Sequence, residues 1–180
     1  MEINLTTVWP DWEIVEPIGK GAFGHVYKAI RKKNDDIAAV KIISLPQNME
    51  EIEAKRQQYS DETIKASYRD QAKEVLEEIK IMKELVGSSN IVWIQDYELV
   101  EKSGGIGYDI YIRMELLQPM KKHHDDLEIS HNCAQYILPE EEIIKIGIDI
   151  CRALETCHNV TTETKKQIIH RDIKPENILY

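Results

Sequence analysis

The stretch His170-Arg171-Asp172-Ile173-Lys174-Pro175-Glu176-Asn177 decides how this chain is read. It sets a potential base, two cations and an amide within eight residues. Pro175, and the polar connector from Asn159 to Lys166 before it, argue against a helix, so a loop is expected. In such a loop Asp172 could accept a proton from a hydroxyl nucleophile. Lys174 could neutralise charge on a transferring phosphoryl group. Asn177 could offer a carbonyl oxygen to Mg2+, which prefers hard oxygen ligands.

Far upstream, Gly19, Gly21 and Gly24 form G-x-G-x-x-G, followed by Val26. With no Cβ in the way, such a turn can lie flat over phosphates. Alone it fits a glycine turn in a hairpin equally well. A dinucleotide fold needs the motif to open a helix after a strand. Here Val26 to Ile30 continues as a strand, which disfavours that reading. Lys41 sits inside the apolar run Ala38-Ala39-Val40-Lys41-Ile42-Ile43, pointing away from the side taken by Val40 and Ile42. An isolated strand lysine would simply face solvent. One hairpin beyond a glycine turn, its ammonium can reach phosphate oxygens. A carboxylate is then needed to hold it. Glu74, Glu77 and Glu78 all stand on the helical stretch that follows, and the pattern alone does not choose among them.

Around these residues the chain reads as strands near Trp12–Val15, Val26–Arg31 and Ala38–Ser44, the last stopped by Pro46. Residues 49–85 hold no Pro or Gly and are rich in Glu, Lys, Gln and Ala, which predicts two helical stretches or one long broken one. Asp61 with Glu62 is the candidate cap of the second piece. Val75, Leu76, Ile79, Met82 and Val86 recur at helical spacing and predict one buried stripe. Strands are expected again at Ile91–Val100 and Tyr108–Leu117, joined through Ser103-Gly104-Gly105. From Pro119 to Leu138 the chain is expected to be polar and irregular. Pro139-Glu140-Glu141-Glu142 opens a helix whose buried face is marked by Ile143, Ile146, Ile150 and Leu154. Strands, helix, strands, then helix imply a small, mainly antiparallel sheet with one packed helix, followed by the start of a helical lobe.

The 180 residues, 42% hydrophobic, suffice for one domain or two small lobes with a real core. A net charge of -9 with no basic face argues against a nucleic-acid binder. The short cluster Arg31-Lys32-Lys33 lies beside Asp35 and Asp36 and reads as a solvated turn. Cys133, Cys151 and Cys157 form no CxxC pair and no even framework, which fits a reducing compartment. With no visible signal peptide and no apolar run long enough to span a bilayer, a cytoplasmic protein is expected. His123-His124-Asp125-Asp126, near His131 and Cys133, matches no zinc spacing and reads as a polar loop.

Taken together, these motifs resemble the eukaryotic-type (Hanks-type) Ser/Thr protein kinases over nearly the whole length after Trp12. The glycine loop matches as Gly19-Lys20-Gly21-Ala22-Phe23-Gly24-His25-Val26, and Ala39-Val40-Lys41 resembles the strand that carries the family's lysine. The resemblance implies an α+β fold: a small antiparallel-sheet N-lobe with one regulatory helix over residues 1–117 including the hinge, and the beginning of a helical C-lobe over 118–180. It implies ATP and Mg2+, with Gly19, Gly21, Gly24 and Val26 over the nucleotide, Ala39 against adenine and Lys41 on the α- and β-phosphates. It selects Glu78, in Glu78-Ile79-Lys80-Ile81-Met82, as the lysine's partner. It makes Met114 the gatekeeper and Glu115 to Leu117 the adenine-contacting hinge. It makes Asp172 the catalytic aspartate and Asn177 a metal ligand, and it gives Lys174 the identity usual in the Ser/Thr class. Ile146 to Cys151, and the extended helix before Glu78, resemble bacterial members.

The chain departs from the family pattern at its end. Tyr180 stands three residues after Asn177, and no Asp-Phe-Gly, activation segment or Ala-Pro-Glu is present. The expectation is therefore a truncated N-terminal portion of a Ser/Thr kinase, with doubtful activity of its own. Its last helix is expected to expose an apolar face. The alternative is a catalytically inactive ATP-binding or partner-docking half-kinase. A purely structural protein built on the charged helix of residues 49–85 leaves three ordered motifs unexplained.

Overall fold

The computed structural model describes residues 5–21, 24–85, 87–130, 137–159 and 168–180. Ala22, Phe23, Val86, His131, Cys133 and the connector from residue 160 to 167 lie outside them. The chain forms two compact units, one from Met1–Lys83 with Trp93–Leu116, the other from Glu84–Val92 with Leu117–Tyr180.

The first unit is built on a five-stranded sheet: β1 (Trp12–Gly21), β2 (Gly24–Arg31), β3 (Ile37–Leu45), β4 (Ile94–Glu101) and β5 (Tyr108–Met114). The spatial order is β1-β2-β3-β5-β4 and every pairing is antiparallel. Both glycine-flanking strands are longer than expected, and β1 runs on to Gly21, which pairs with Gly24. The β-branched run of β3 forms the centre, and its alternation gives the sheet two apolar faces. Ala38, Val40 and Ile42 bury on the outer face with Ala29, Trp12, Trp9 and Leu5. Ile43 faces the other way, with Ile94, Ile110 and Ile112, against Ala72 and Ile79 of a helix.

That helical region breaks in two, α1 (Met49–Arg56) and α2 (Asp61–Glu84). The Asn48 side chain caps α1 by accepting the Glu51 N–H at 3.1 Å. The break is closed by a two-point bond from Arg56 to Asp61, at 2.9 and 3.0 Å. The cap of α2 is Ser60, whose hydroxyl accepts the Thr63 N–H at 3.3 Å. Asp61 and Glu62 fill the first turn instead, where the helix dipole favours acids. Of the expected stripe, Ile79 is buried and Val75 and Leu76 are half-buried, but Met82 is 40% exposed. The stripe extends the other way, through Ala72 to Tyr68 and Ile64, which form a further core with Ile52 of α1 and Ile106.

In the second unit the segment after Pro119 is not irregular. It forms α3 (Met120–Ser130) and carries His123 to Asp126. The Pro119 carbonyl accepts the His123 N–H at 3.0 Å, and the Met120 N–H is taken up by Ile178 at 3.1 Å. The end of α3 is thus satisfied by residues far along the chain, which local polarity does not reveal. α4 (Glu140–Asn159) starts as expected, with the Pro139 carbonyl accepting from Glu142 and Ile143. The face that periodicity marks for burial is left open, the exposure expected of this last helix: Ile143 is 52% exposed, while Ile146, Ile150 and Leu154 are half-covered. Among its described residues only Cys157 is buried. No helix among the described residues is long and apolar enough to cross a membrane.

Candidate active site

In the first unit, pairing sets the predicted residues side by side. Gly19 pairs with Val26, Val26 with Lys41, and Lys41 with Ile112. Opposed residues in an antiparallel ladder share a face, so one row across the sheet carries the glycine, the valine and the lysine. The next row joins Lys28, Ala39 and Met114. At Gly24 β2 passes close to the main chain of β3: a Cβ there would strike the Ile42 carbonyl. Only glycine lets the two backbones approach so near.

Lys41 is half-buried, and burial pushes its ammonium below the ordinary lysine range. The Glu78 carboxylate opposes that shift. Glu78 itself is exposed on α2, and no ion pair joins the two among the described residues, so their link acts through space. Of the three glutamates the pattern left open, Glu78 is the one whose charge Lys41 feels.

Beyond Met114, Glu115 is tied twice to Trp93. Its N–H donates to the Trp93 carbonyl at 3.1 Å, and its carboxylate accepts the Trp93 N–H at 2.7 Å. The Glu115 amide is therefore engaged within the protein. Leu117 belongs to the second unit, beside Gln118, whose N–H and carbonyl both pair with Tyr180 at 2.8 and 2.7 Å.

In that second unit the loop after Ile168 brings Asp172, Lys174 and Asn177 together. The Lys174 ammonium lies 2.8 Å from the Asp172 carboxylate. The Asn177 side-chain amide donates to the Asp172 carbonyl at 2.8 Å and to its carboxylate at 2.9 Å. The bonds from Lys174, then Asn177, hold the Asp172 carboxyl below the usual carboxylate range. The reciprocal attraction raises the Lys174 ammonium. Arg171 is left-handed, at φ 61°, a conformation that costs a non-glycine residue about 1–2 kcal/mol. It turns the chain so that the Asp172 N–H reaches His170 Nδ1 at 3.3 Å. Pro175–Asn177 closes the loop as one 3-10 turn, the Asn177 N–H bonding the Lys174 carbonyl at 2.9 Å.

The sequence reading missed how the loop's far end is fixed. Leu179 bridges to Pro119, the Tyr180 ring stacks on His123 at 4.1 Å, and the Tyr180 hydroxyl donates to Glu142 at 3.1 Å. These contacts span 38 residues or more, and no local signal announces them.

With its nitrogen committed to Asp172, the Asn177 carboxamide has its oxygen left to offer, beside an ionised carboxylate.

A family model described as the protein kinase domain matches residues 12–180. The chain is 28% identical to the serine/threonine-protein kinase Nek10 of Mus musculus over 171 residues, covering 94% of this chain and 13% of that protein. It is 29% identical to the serine/threonine-protein kinase Aurora-2 of Arabidopsis thaliana, covering 94% and 47%. It is 33% identical to calcium-dependent protein kinase 5 of Plasmodium berghei, covering 91% and 22%. The chain thus spans less than half the length of each of these relatives.

Proposed function

The chain belongs to the protein kinase domain family, and on that premise we propose that it carries the ATP site and catalytic loop of a Ser/Thr protein kinase. The reaction would transfer the γ-phosphoryl group of ATP to a Ser or Thr hydroxyl of a protein. The observation that carries this reading is the cluster of Asp172, Lys174 and Asn177 on one exposed loop.

The proposal gives each residue the task its kinase counterpart carries, and its contacts suit that task. Asp172, kept ionised, orients the acceptor hydroxyl and takes up its proton. Lys174, kept charged, offsets the negative charge that develops on the transferring group. Asn177 holds the Asp172 carboxylate in place and would contribute its oxygen to Mg2+, which supplies charge neutralisation at the phosphates when bound. On the sheet, Gly19, Gly21, Gly24 and Val26 would lie over the nucleotide, Ala39 and Met114 beside the base, and Glu115, just past β5, along its edge. Lys41, in the field of Glu78, would hold the α- and β-phosphates. Two features of sequence also belong to this proposal: free cysteines for a cytoplasmic protein, and Ile146 to Cys151 for a bacterial one.

Calorimetry with Mg-ATP, paired with a phosphoryl-transfer assay, tests it. The proposal expects binding that Lys41→Met abolishes and transfer that Asp172→Asn abolishes. Binding without transfer supports the half-kinase module instead. No binding to the folded protein refutes the kinase reading and the ATP-binding form of the module.

A further inference from the structure

Arg113, the residue before Met114, is gripped on the outer face of the sheet. Its guanidinium lies 4.8 Å from the ring centroids of both Trp9 and Trp12. Its Nε donates to the Gln95 side-chain oxygen at 3.3 Å, and Nη2 lies 3.5 Å from Asp96 Oδ2. The same Asp96 oxygen accepts the Trp9 indole N–H at 3.1 Å. With a side chain only 12% exposed, Arg113 has little water to fall back on if these partners leave.

The grip sits on an irregularity. Ile94 pairs with Met114 and Asp96 with Arg113, so β4 spends two steps where β5 spends one, and Gln95 is the extra residue of a β-bulge. Arg113 holds both Gln95 and Asp96. The bulge decides which residue of β4 stands opposite Met114. It also aligns Trp93 with Glu115, where their two hydrogen bonds form. A ladder slipped by one residue would turn each side chain to the opposite face.

We propose that Trp9, Asp96 and Arg113 are positioning residues that pin the Gln95 bulge and so fix the register in which β5 presents Met114 and Glu115. Trp9 lies before the stretch that matches the family, residues 12–180, so it joins the clasp from outside that stretch while Asp96 and Arg113 lie within it. Its effect on nucleotide affinity rests on the ATP-site reading above; the pinning does not.

Hydrogen exchange at the Trp93 and Glu115 amides reads the register directly. Trp9→Phe keeps an aromatic face and deletes the indole donor. Asp96→Asn keeps the shape and removes the charge. Each is expected to speed exchange at Trp93 and Glu115 about tenfold, as for a lost hydrogen bond to a charged group, while β2 and β3 amides keep their protection. Affinity for a non-hydrolysable ATP analogue should fall about as much, and the melting temperature of the free protein should drop by only about 2–4 °C, as for a local loss of this size. Unchanged exchange at both amides overturns the proposal, as does equal acceleration throughout the sheet. If the exchange pattern appears but the parent protein binds no nucleotide, the pinning stands and the ATP-site reading fails. If the parent binds and the variants match it in affinity and exchange, the reverse holds.

Discussion

The Asn177 side-chain amide donates to Asp172 twice, to its backbone carbonyl at 2.8 Å and to its carboxylate at 2.9 Å. One residue therefore fixes both the backbone and the side chain of Asp172. Asn177→Asp replaces this donor with a second carboxylate facing the first. Two like charges in contact cannot both ionise readily, so the Asp172 titration should move upward. Phosphoryl transfer should fall by about 100-fold or more, the scale of a lost general base. Carboxyl NMR titration checks the first part; an unmoved Asp172 signal would show that the two bonds do not form in solution.

Lys174 is the larger cause of the low Asp172 value, ahead of Asn177. A carboxylate depressed on folding adds stability above its unfolded value near 3.8, and that contribution disappears as pH falls through the lower folded one. Lys174→Met should raise the Asp172 titration toward 3.8 and shrink this acid window. Both side chains are about half exposed, so high salt should mimic part of the mutation. A titration that ignores both changes rejects the pair.

At Lys41 the sign is opposite. Its folded value lies below the unfolded 10.5, so its burial as a cation costs stability until the pH rises through the folded value. Stability attributable to this group therefore climbs between the folded value and 10.5. Glu78→Gln removes the influence that raises it and should drive the ammonium lower still. The pH profile of acylation at Lys41 would then shift toward acid. An unshifted profile would mean that Glu78 does not act on Lys41.

Gly24 offers a steric test. An added Cβ meets the Ile42 carbonyl, and main chain cannot move aside as a flexible side chain can. Gly24→Ala should cost about 1–3 kcal/mol, the usual range for overpacking. It should also weaken nucleotide binding, because β2 must shift from β3 beside Lys41. Denaturant unfolding measures the first effect, and full stability in the variant would exclude the close approach.

Tyr68 is 1% exposed, and its hydroxyl has no hydrogen-bond partner among the described residues. An unsatisfied buried donor costs about 1–3 kcal/mol. Tyr68→Phe keeps the ring under Lys55, which lies 4.1 Å from its centroid, and should stabilise the protein by about 1 kcal/mol. A drop in the unfolding midpoint would reveal a partner that the hydroxyl finds in solution.

The parts legible in the sequence are those governed by neighbours along the chain. β3 was readable because β-branched residues alternate around Lys41 and Pro46 stops them. The break between α1 and α2 was readable from composition, though its cap fell on Ser60 because a hydroxyl, not a carboxylate, reached the Thr63 amide. α3 escaped notice because its first turn is completed by Ile178 and Tyr180, more than 50 positions away. The periodicity of α4 identified its helix and the side that seeks cover; that the side lies open followed from the departure from the family pattern, not from the stripe itself. Lys41 shows both sides of this limit. Its orientation followed from strand alternation, whereas helical spacing left Glu74, Glu77 and Glu78 open and only the family resemblance singled out Glu78, the carboxylate that raises the Lys41 ammonium.

The outer coat of the sheet also has a consequence in time. Trp9 and its partner Asp96 are 87 residues apart. A ribosome adding roughly 5–20 residues per second makes the indole about 4–17 s before the carboxylate that receives it. Over that interval two tryptophans and the bare side of the first three strands stand in the nascent chain with no final partner at the far edge. The clasp cannot close until the last strand of the sheet emerges, so Trp9 waits for a partner made 87 residues after it.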